Sequence, residues 1–340
     1  MPTTQSLQSA DTGGAEIAAS VVICTHRRPE LLDACLGSLI GQRVGGARGA
    51  APAIADSMVH EILVIDNSPQ AEGRAVAERR QAAFAREGVP LRYILEERPG
   101  VSFARNRGVL EAAGELIAFI DDDERACGGW LERLLEPFHR LGDGVDIVAG
   151  EVDPDFGDMP RPDWLADTML HFFSCRWGWD SEPRFLTEAE WFGEGNCAFR
   201  KRLMNGRAFP TDLGRRGDVL LANEGALFTE MRNAGAETYY VPSATVLHFI
   251  HPDRLNRHWL MRRMFYQGVS NRLMHRRYGQ AERPCDFNVN LADLAAIDVD
   301  TLEDKGLWAM IRLYYEIGYA SALVMAGSPP SPPDRDPARP

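Results

Sequence analysis

The sequence predicts an α/β protein: a Rossmann-like, mostly parallel central sheet with helices on both faces and a helical extension at its C-terminal end. Two observations carry that expectation and a third orients it. Short apolar runs alternate with stretches of about 10 to 15 residues of helical character, the rhythm of parallel strands joined by crossover helices. The runs are apolar on both faces rather than alternating, and residues 116–120 (LIAFI) are the clearest case. Polar and acidic residues then gather directly after the runs, at Thr25, Asp66 and Asp121. That strand end is where open α/β sheets bind ligands.

Residues 21–25 (VVICT) form the first strand, and residues 29–42 follow as a helix that Pro29 opens and Leu31, Leu32, Cys35 and Leu39 stripe. The Gly- and Ala-rich stretch 44–55 is a loop, 61–66 (EILVID) the second strand, and 71–86 a helix by composition. Residues 91–95 make the third strand, 101–113 a helix released by Pro99-Gly100, and 116–120 the fourth strand. A helix at 129–141 and a strand at 145–149 (VDIVA) complete the regular part. After Glu151 the rhythm breaks. Residues 153–163 are rich in proline and acid, and 171–191 carry Trp177, Trp179 and several Phe with little periodicity, as substrate-facing loops and short elements would. A helix at 222–234, a strand at 237–241, an arginine-crowded helix at 254–278 and a mostly apolar helix at 307–326 follow. The ends, residues 1–17 and the proline-rich tail 327–340, are expected to be disordered.

A net charge of −12 argues against a nucleic-acid-binding protein, which needs a basic footprint. The six cysteines are scattered, with no CxxC pair, which fits a reducing, cytoplasmic compartment. The N-terminal residues lack the basic and apolar regions of a signal peptide, and no stretch of about 20 residues is free of charge, so no membrane-spanning helix is expected.

Asp121, Asp122 and Asp123 would repel one another unless a cation lay among them. Oxygen donors favour Mg²⁺ or Mn²⁺, and such an ion would hold a diphosphate. The same run would also serve as a solvated acidic turn. Thr25, His26, Arg27 and Arg28 end the first strand, where a nucleotide base and ribose would lie. No glycine follows that strand and no GxxxxGK[ST] occurs, so phosphate must be held by metal and side chains. In Asp66-Asn67-Ser68, Asp66 suits a base N–H or a ribose hydroxyl, and the triplet equally suits a plain turn. Arg105 and Asn106 come early on the third helix; Arg105 suits a phosphate, or a surface pairing with Glu111 or Glu115.

VVICTHRR, EILVIDNS, PGVSFARNRG and LIAFIDDDE, in this order and spacing, resemble the family-two glycosyltransferases over roughly residues 20–280. The resemblance implies the GT-A fold. Residues 18–250 would be the catalytic domain, with 18–125 its nucleotide-binding half and 126–250 its acceptor half, and 251–326 the helical extension. The acidic run is similar to the family's DXD motif. The nucleotide and donor site would then draw on Thr25, His26, Arg27, Asp66, Asn67, Arg105, Asn106, Asp121 and Asp122. Asp121 and Asp123 would flank the metal and diphosphate, with Asp123 a direct ligand. Residues 193–200 (GEGNCAFR) are similar to the family's acceptor-side GGNxAFRR segment and would place Gly195 and Asn196 beside the donor sugar. Asn223-Glu224 is similar to the family's Glu-Asp pair and makes Glu224 the general base, although both positions depart from the usual residues and Asp218 and Glu230 compete nearby. His248 would meet the metal or diphosphate, or pack in the core.

These readings imply an inverting, Mg²⁺- or Mn²⁺-dependent glycosyltransferase. It would move a sugar from a nucleotide-diphosphate sugar to the hydroxyl of a glycan or lipid-linked acceptor in polysaccharide or glycolipid assembly. In residues 254–277 arginines interleave with Trp259, Phe265 and Tyr266, a basic helix suited to peripheral contact with the inner face of a membrane. Two rivals share such a sheet. A sugar-nucleotide nucleotidyltransferase would show a glycine-rich loop after the first strand, which is missing. A non-catalytic nucleotide-sugar-binding protein is kept open by the Asn223-Glu224 departure.

Overall fold

A computed structural model describes residues 18–42, 59–179, 181–213, 224–278, 284–285 and 304–325. The expected leader, the loop at 44–55, the tail, Asp218 and Asn223 lie outside the described residues, as does the side chain of Glu224. The elements in chain order are β1 (Ala19–Thr25), α1 (Pro29–Leu39), β2 (Val59–Asp66), α2 (Arg74–Arg86), β3 (Leu91–Leu95), α3 (Val101–Glu111), β4 (Leu116–Ile120) and β5 (Glu124–Ala126). They continue with α4 (Trp130–Arg140), β6 (Ile147–Asp155), β7 (Arg184–Phe185), β8 (Asn196–Arg200), α5 (Glu224–Asn233), β9 (Thr238–Phe249), α6 (Arg257–Arg277) and α7 (Asp304–Met325).

The strands form one sheet in the order β3-β2-β1-β4-β8-β6-β9-β5, with β7 on β9. The parallel arrangement holds through β3, β2, β1 and β4, whose links are the expected crossover helices. β8 is reached instead through the irregular stretch after β6, so no crossover fixes its direction. It runs antiparallel to both β4 and β6, an antiparallel insert in the mostly parallel sheet. β6 and β9 are parallel again.

Every residue of β4 is buried, as its unbroken apolar run requires. On one face of the sheet Leu32 and Leu36 of α1, Trp130 and Phe138 of α4, Leu260 of α6 and Ile311 of α7 share one core. On the other face Ala104 of α3 and Leu227 and Phe228 of α5 pack with Phe119 and Phe199. The C-terminal helices are therefore built into the core of the sheet. α6 is capped by Asn256, whose Oδ1 accepts the Trp259 N–H at 2.8 Å. α6 and α7 cross where neither can carry a side chain: a β-carbon on Gly268 would strike the Tyr315 carbonyl, and one on Gly318 the Phe265 carbonyl. The basic face expected on α6 is divided. Arg272 is buried beneath Tyr319, Arg277 pairs with Asp212 at 2.8 Å, and Arg262 and Arg276 are exposed. No helix among the described residues is long and apolar enough to cross a membrane.

Candidate active site

The end of β4 turns through Asp121–Asp123 into β5, and both flanks are fixed. Glu124 pairs with His248 in the β5–β9 ladder, and its carboxylate accepts the Asp121 N–H at 3.0 Å. Asp122 and Asp123 are under 10% exposed, so the turn is not a solvated one. β1 reaches it from one side: Thr25 Oγ1 donates to Asp122 at 2.8 Å, and Arg28 donates to Asp122 at 3.1 Å and to Asp123 at 2.8 Å. β9 and the turn after it reach it from the other. His248 Nε2 and Arg254 Nη2 each lie 3.7 Å from Asp123 Oδ2. Gly195 forms a wall, since a β-carbon there would lie 2.7 Å from oxygens of both Asp121 and Glu124.

The charges explain one another. Burial would raise the Asp123 carboxyl, but His248, Arg28 and Arg254 outweigh it and hold that group ionised well below the usual carboxylate range. Asp122 is buried beside this charge and is pushed up to about 7. Glu124 is raised well above its ordinary value by burial and by Asp121. Burial likewise pushes up the thiol of Cys175, which lies against His248.

Among the described residues no three His, Cys, Asp or Glu side chains converge on one point as a closed metal cage would require. Asp123 and His248 nevertheless offer a carboxylate oxygen and an imidazole nitrogen on the two sides of a gap of 3.7 Å. That pair fits an open Mn²⁺ or Mg²⁺ site, in which substrate oxygens and water complete the coordination. The Asp121 carboxylate is engaged elsewhere, with Arg105 at 3.3 Å, and belongs to the Gly195 wall rather than to this pair.

Several expected ligand-binding groups are occupied by the protein itself. Asp66 is wholly buried; its oxygens accept the N–H groups of Ser68 and Gly73 at 2.8 Å and the Tyr93 hydroxyl at 2.9 Å. It organises the β2–α2 loop, the turn alternative, rather than presenting a carboxylate to a base. Asn67 clasps the β3–α3 loop, donating to the carbonyls of Glu96 and Arg98 and accepting from Gly100 N–H. Arg105 is buried and ion-paired with Glu194 as well as Asp121, so it neither faces a phosphate nor pairs with Glu111 or Glu115 at the surface. Asn106 binds both backbone groups of Phe209, at 2.8 and 2.9 Å. Asn196 accepts from Trp130 Nε1 at 2.7 Å and donates to the carbonyls of Glu151 and Ala244, beside the β6–β9 register shift. It repairs that irregularity instead of facing a sugar.

His26 and Arg27 are exposed at the β1 end, with Arg27 N–H held by Ser68 Oγ at 2.7 Å. Glu224 is the first residue of α5. Glu230 is tied to Arg207 at 3.0 Å two turns further along the helix. Arg28 stands in the polar cluster after β1, but its pairing with the turn, that of Arg254 with Asp123 and that of Glu194 with Arg105 are made only by tertiary structure.

Residues 20–206 match the family model of glycosyl transferase family 2. The chain is 28% identical over 255 residues to the succinoglycan biosynthesis protein ExoM of Rhizobium meliloti, covering 73% of this chain and 72% of that protein. It is 27% identical over 239 residues to the glucosyl-dolichyl phosphate glucuronosyltransferase of Haloferax volcanii, covering 67% and 74% respectively. Among solved structures, the mannosyltransferase PcManGT of Pyrobaculum calidifontis, in complex with GDP-Man and Mn²⁺, matches with a TM-score of 0.54 at 18% identity over 91% of this chain and 75% of that one. That likeness is one of fold.

Proposed function

The chain belongs to glycosyl transferase family 2, and from that premise we propose that it is an inverting glycosyltransferase whose donor diphosphate lies against the Asp121–Asp123 turn. The observation that carries this is the meeting of the β1–α1 turn, β9 and the turn after β9 on one buried carboxylate, Asp123, just past β4. Thr25 fixes Asp122 and thereby the turn. Asp123 and His248 would hold Mg²⁺ or Mn²⁺, which supplies positive charge to the leaving diphosphate when bound. Arg28 and Arg254 pair with Asp123 and would turn to phosphate oxygens, which guanidinium groups bind bidentately. His26 and Arg27 would rim the base and ribose, and Gly195 would lie beside the donor sugar.

The Glu224 carboxylate would take the proton of the acceptor hydroxyl. The acceptor oxygen then bonds to the anomeric carbon from the face opposite the leaving group, and the carbon–oxygen bond to the diphosphate breaks, releasing the nucleoside diphosphate. The similarity to the Haloferax enzyme, whose name includes glucosyl-dolichyl phosphate, supports a lipid-linked acceptor. The exposed Arg262 and Arg276 on α6 favour contact with an anionic surface. The test is transfer from a panel of nucleotide sugars by the wild type and by Glu224→Gln. Turnover should fall at least about 100-fold in the variant with donor affinity kept, the signature of a lost general base. Full turnover in Glu224→Gln removes that residue from the role, and pyrophosphate release from nucleoside triphosphate plus sugar phosphate would favour the nucleotidyltransferase instead.

A further inference from the structure

We propose that Cys175 is a positioning residue that keeps the proton of His248 on Nδ1, so that Nε2 can present its lone pair to a cation lying between it and Asp123. The proposal rests on the reading of Asp123 and His248 as the protein's share of a divalent-cation site. An imidazole can ligate through Nε2 only if Nδ1 carries the proton, and that N–H needs an acceptor. Cys175 Sγ lies 3.5 Å from His248 Nδ1 and also 3.5 Å from the Phe173 carbonyl oxygen. With the thiol hydrogen directed to that carbonyl, a sulfur lone pair is left for the Nδ1–H. With the thiol rotated, S–H donates to Nδ1 instead, and the imidazole proton moves to Nε2, facing Asp123. The hydrogen bond from the thiol to the Phe173 carbonyl selects the first arrangement, which a methyl group could not do.

The sulfur's place is set by backbone rather than chance. Cys175 is fully buried, and its N–H donates to the Leu170 carbonyl at 3.1 Å. The next N–H, of Arg176, donates to the Val152 carbonyl of β6 at 2.9 Å, and β6 is paired to β9 at Pro154 opposite His248. The neighbouring Phe173 ring stacks on Trp259 with centroids 5.1 Å apart. The segment that carries the thiol is thereby fastened to β6, the strand paired with the one that carries the imidazole.

The test uses the full chain with Cys175→Ala and Cys175→Ser, titrated with Mn²⁺ alone and followed by loss of the free-ion electron paramagnetic resonance signal. The imidazole tautomer of the metal-free proteins is read in parallel by nitrogen-15 chemical shifts. Partners of a ligating histidine typically change metal affinity by about 10- to 100-fold, so the alanine variant should lose about tenfold. Serine, which can donate and accept in the same place, should restore most of it, and the tautomer balance should move in alanine but not in serine. Wild-type and alanine proteins that bind Mn²⁺ equally overturn the proposal alone, as do alanine and serine variants weakened to the same extent. A wild type that takes up no Mn²⁺, with His248→Ala no different, overturns the metal reading and the proposal with it.

Discussion

Asp123 gathers three basic side chains around one buried oxygen pair, and removing its charge should be costly twice over. Taking one partner from a buried ion cluster costs about 3–5 kcal/mol. Asp123→Asn should therefore lower stability in urea and, by calorimetry, abolish cation-dependent nucleotide binding. Unchanged nucleotide uptake would remove Asp123 from the donor site. Gly195→Ala puts a β-carbon 2.7 Å from oxygens of Asp121 and Glu124. Overpacking of that kind costs about 1–3 kcal/mol, and the donor KM should rise with it because the wall moves. Glu61 makes a different prediction. Burial would raise its carboxyl, but the Ala113 N–H, Arg92 and Ser20 prevail and hold it below its ordinary value of 4.5. A depressed carboxyl contributes stability that is complete above the unfolded value and is lost as pH falls through the folded one. Between pH 7 and the acid range the wild type should lose more of its urea resistance than Glu61→Gln does. Equal losses would show that Glu61 is not the linked group.

Among elements, the α6–α7 crossing is the place where geometry leaves no slack. Gly318→Ala should push the helices apart and cost about 1–3 kcal/mol in chemical denaturation. Nucleotide binding should be unchanged, since the crossing does not touch the acidic turn. Loss of nucleotide affinity at unchanged stability would contradict this. The elements also show where sequence was informative. β1, β2, β3 and β4 fall where continuous apolar runs place them, because a strand buried on both faces has no freedom in composition. β5 and β7 are too short for any pattern, and β8 (NCAFR) carries a motif whose residues hide its strand character. β6 continues to Asp155 through Pro154 because β8 leaves it at Ala149, so the proline sits on an edge that needs no N–H. β9 runs twelve residues, through Pro242, by virtue of the register shift that Asn196 repairs. The polar residues were harder. Asp66 and Asn67 stand at a strand end, Asn106 early on a helix and Asn196 in a motif, but their use as backbone clamps depends on carbonyls and N–H groups brought together from distant segments.

For the molecule as a whole, cation and nucleotide should act as one ligand, because the diphosphate completes what Asp123 and His248 leave open. A nucleoside diphosphate with Mn²⁺ at about 100 times its Kd should add about 2.7 kcal/mol to stability, with a matching rise in Tm, while either alone adds much less. Equal shifts with and without the ion would argue that the arginines suffice. One arrangement bears on how such a protein comes into being. Arg28 lies 95 residues before Asp123, and His248 and Arg254 come from the far side of the sheet's last strand. A chain leaving the ribosome therefore exposes its acidic turn long before its later basic partners have been translated. On the proposed reading, donor binding would begin only once β9 and the turn after it have docked beside Asp123.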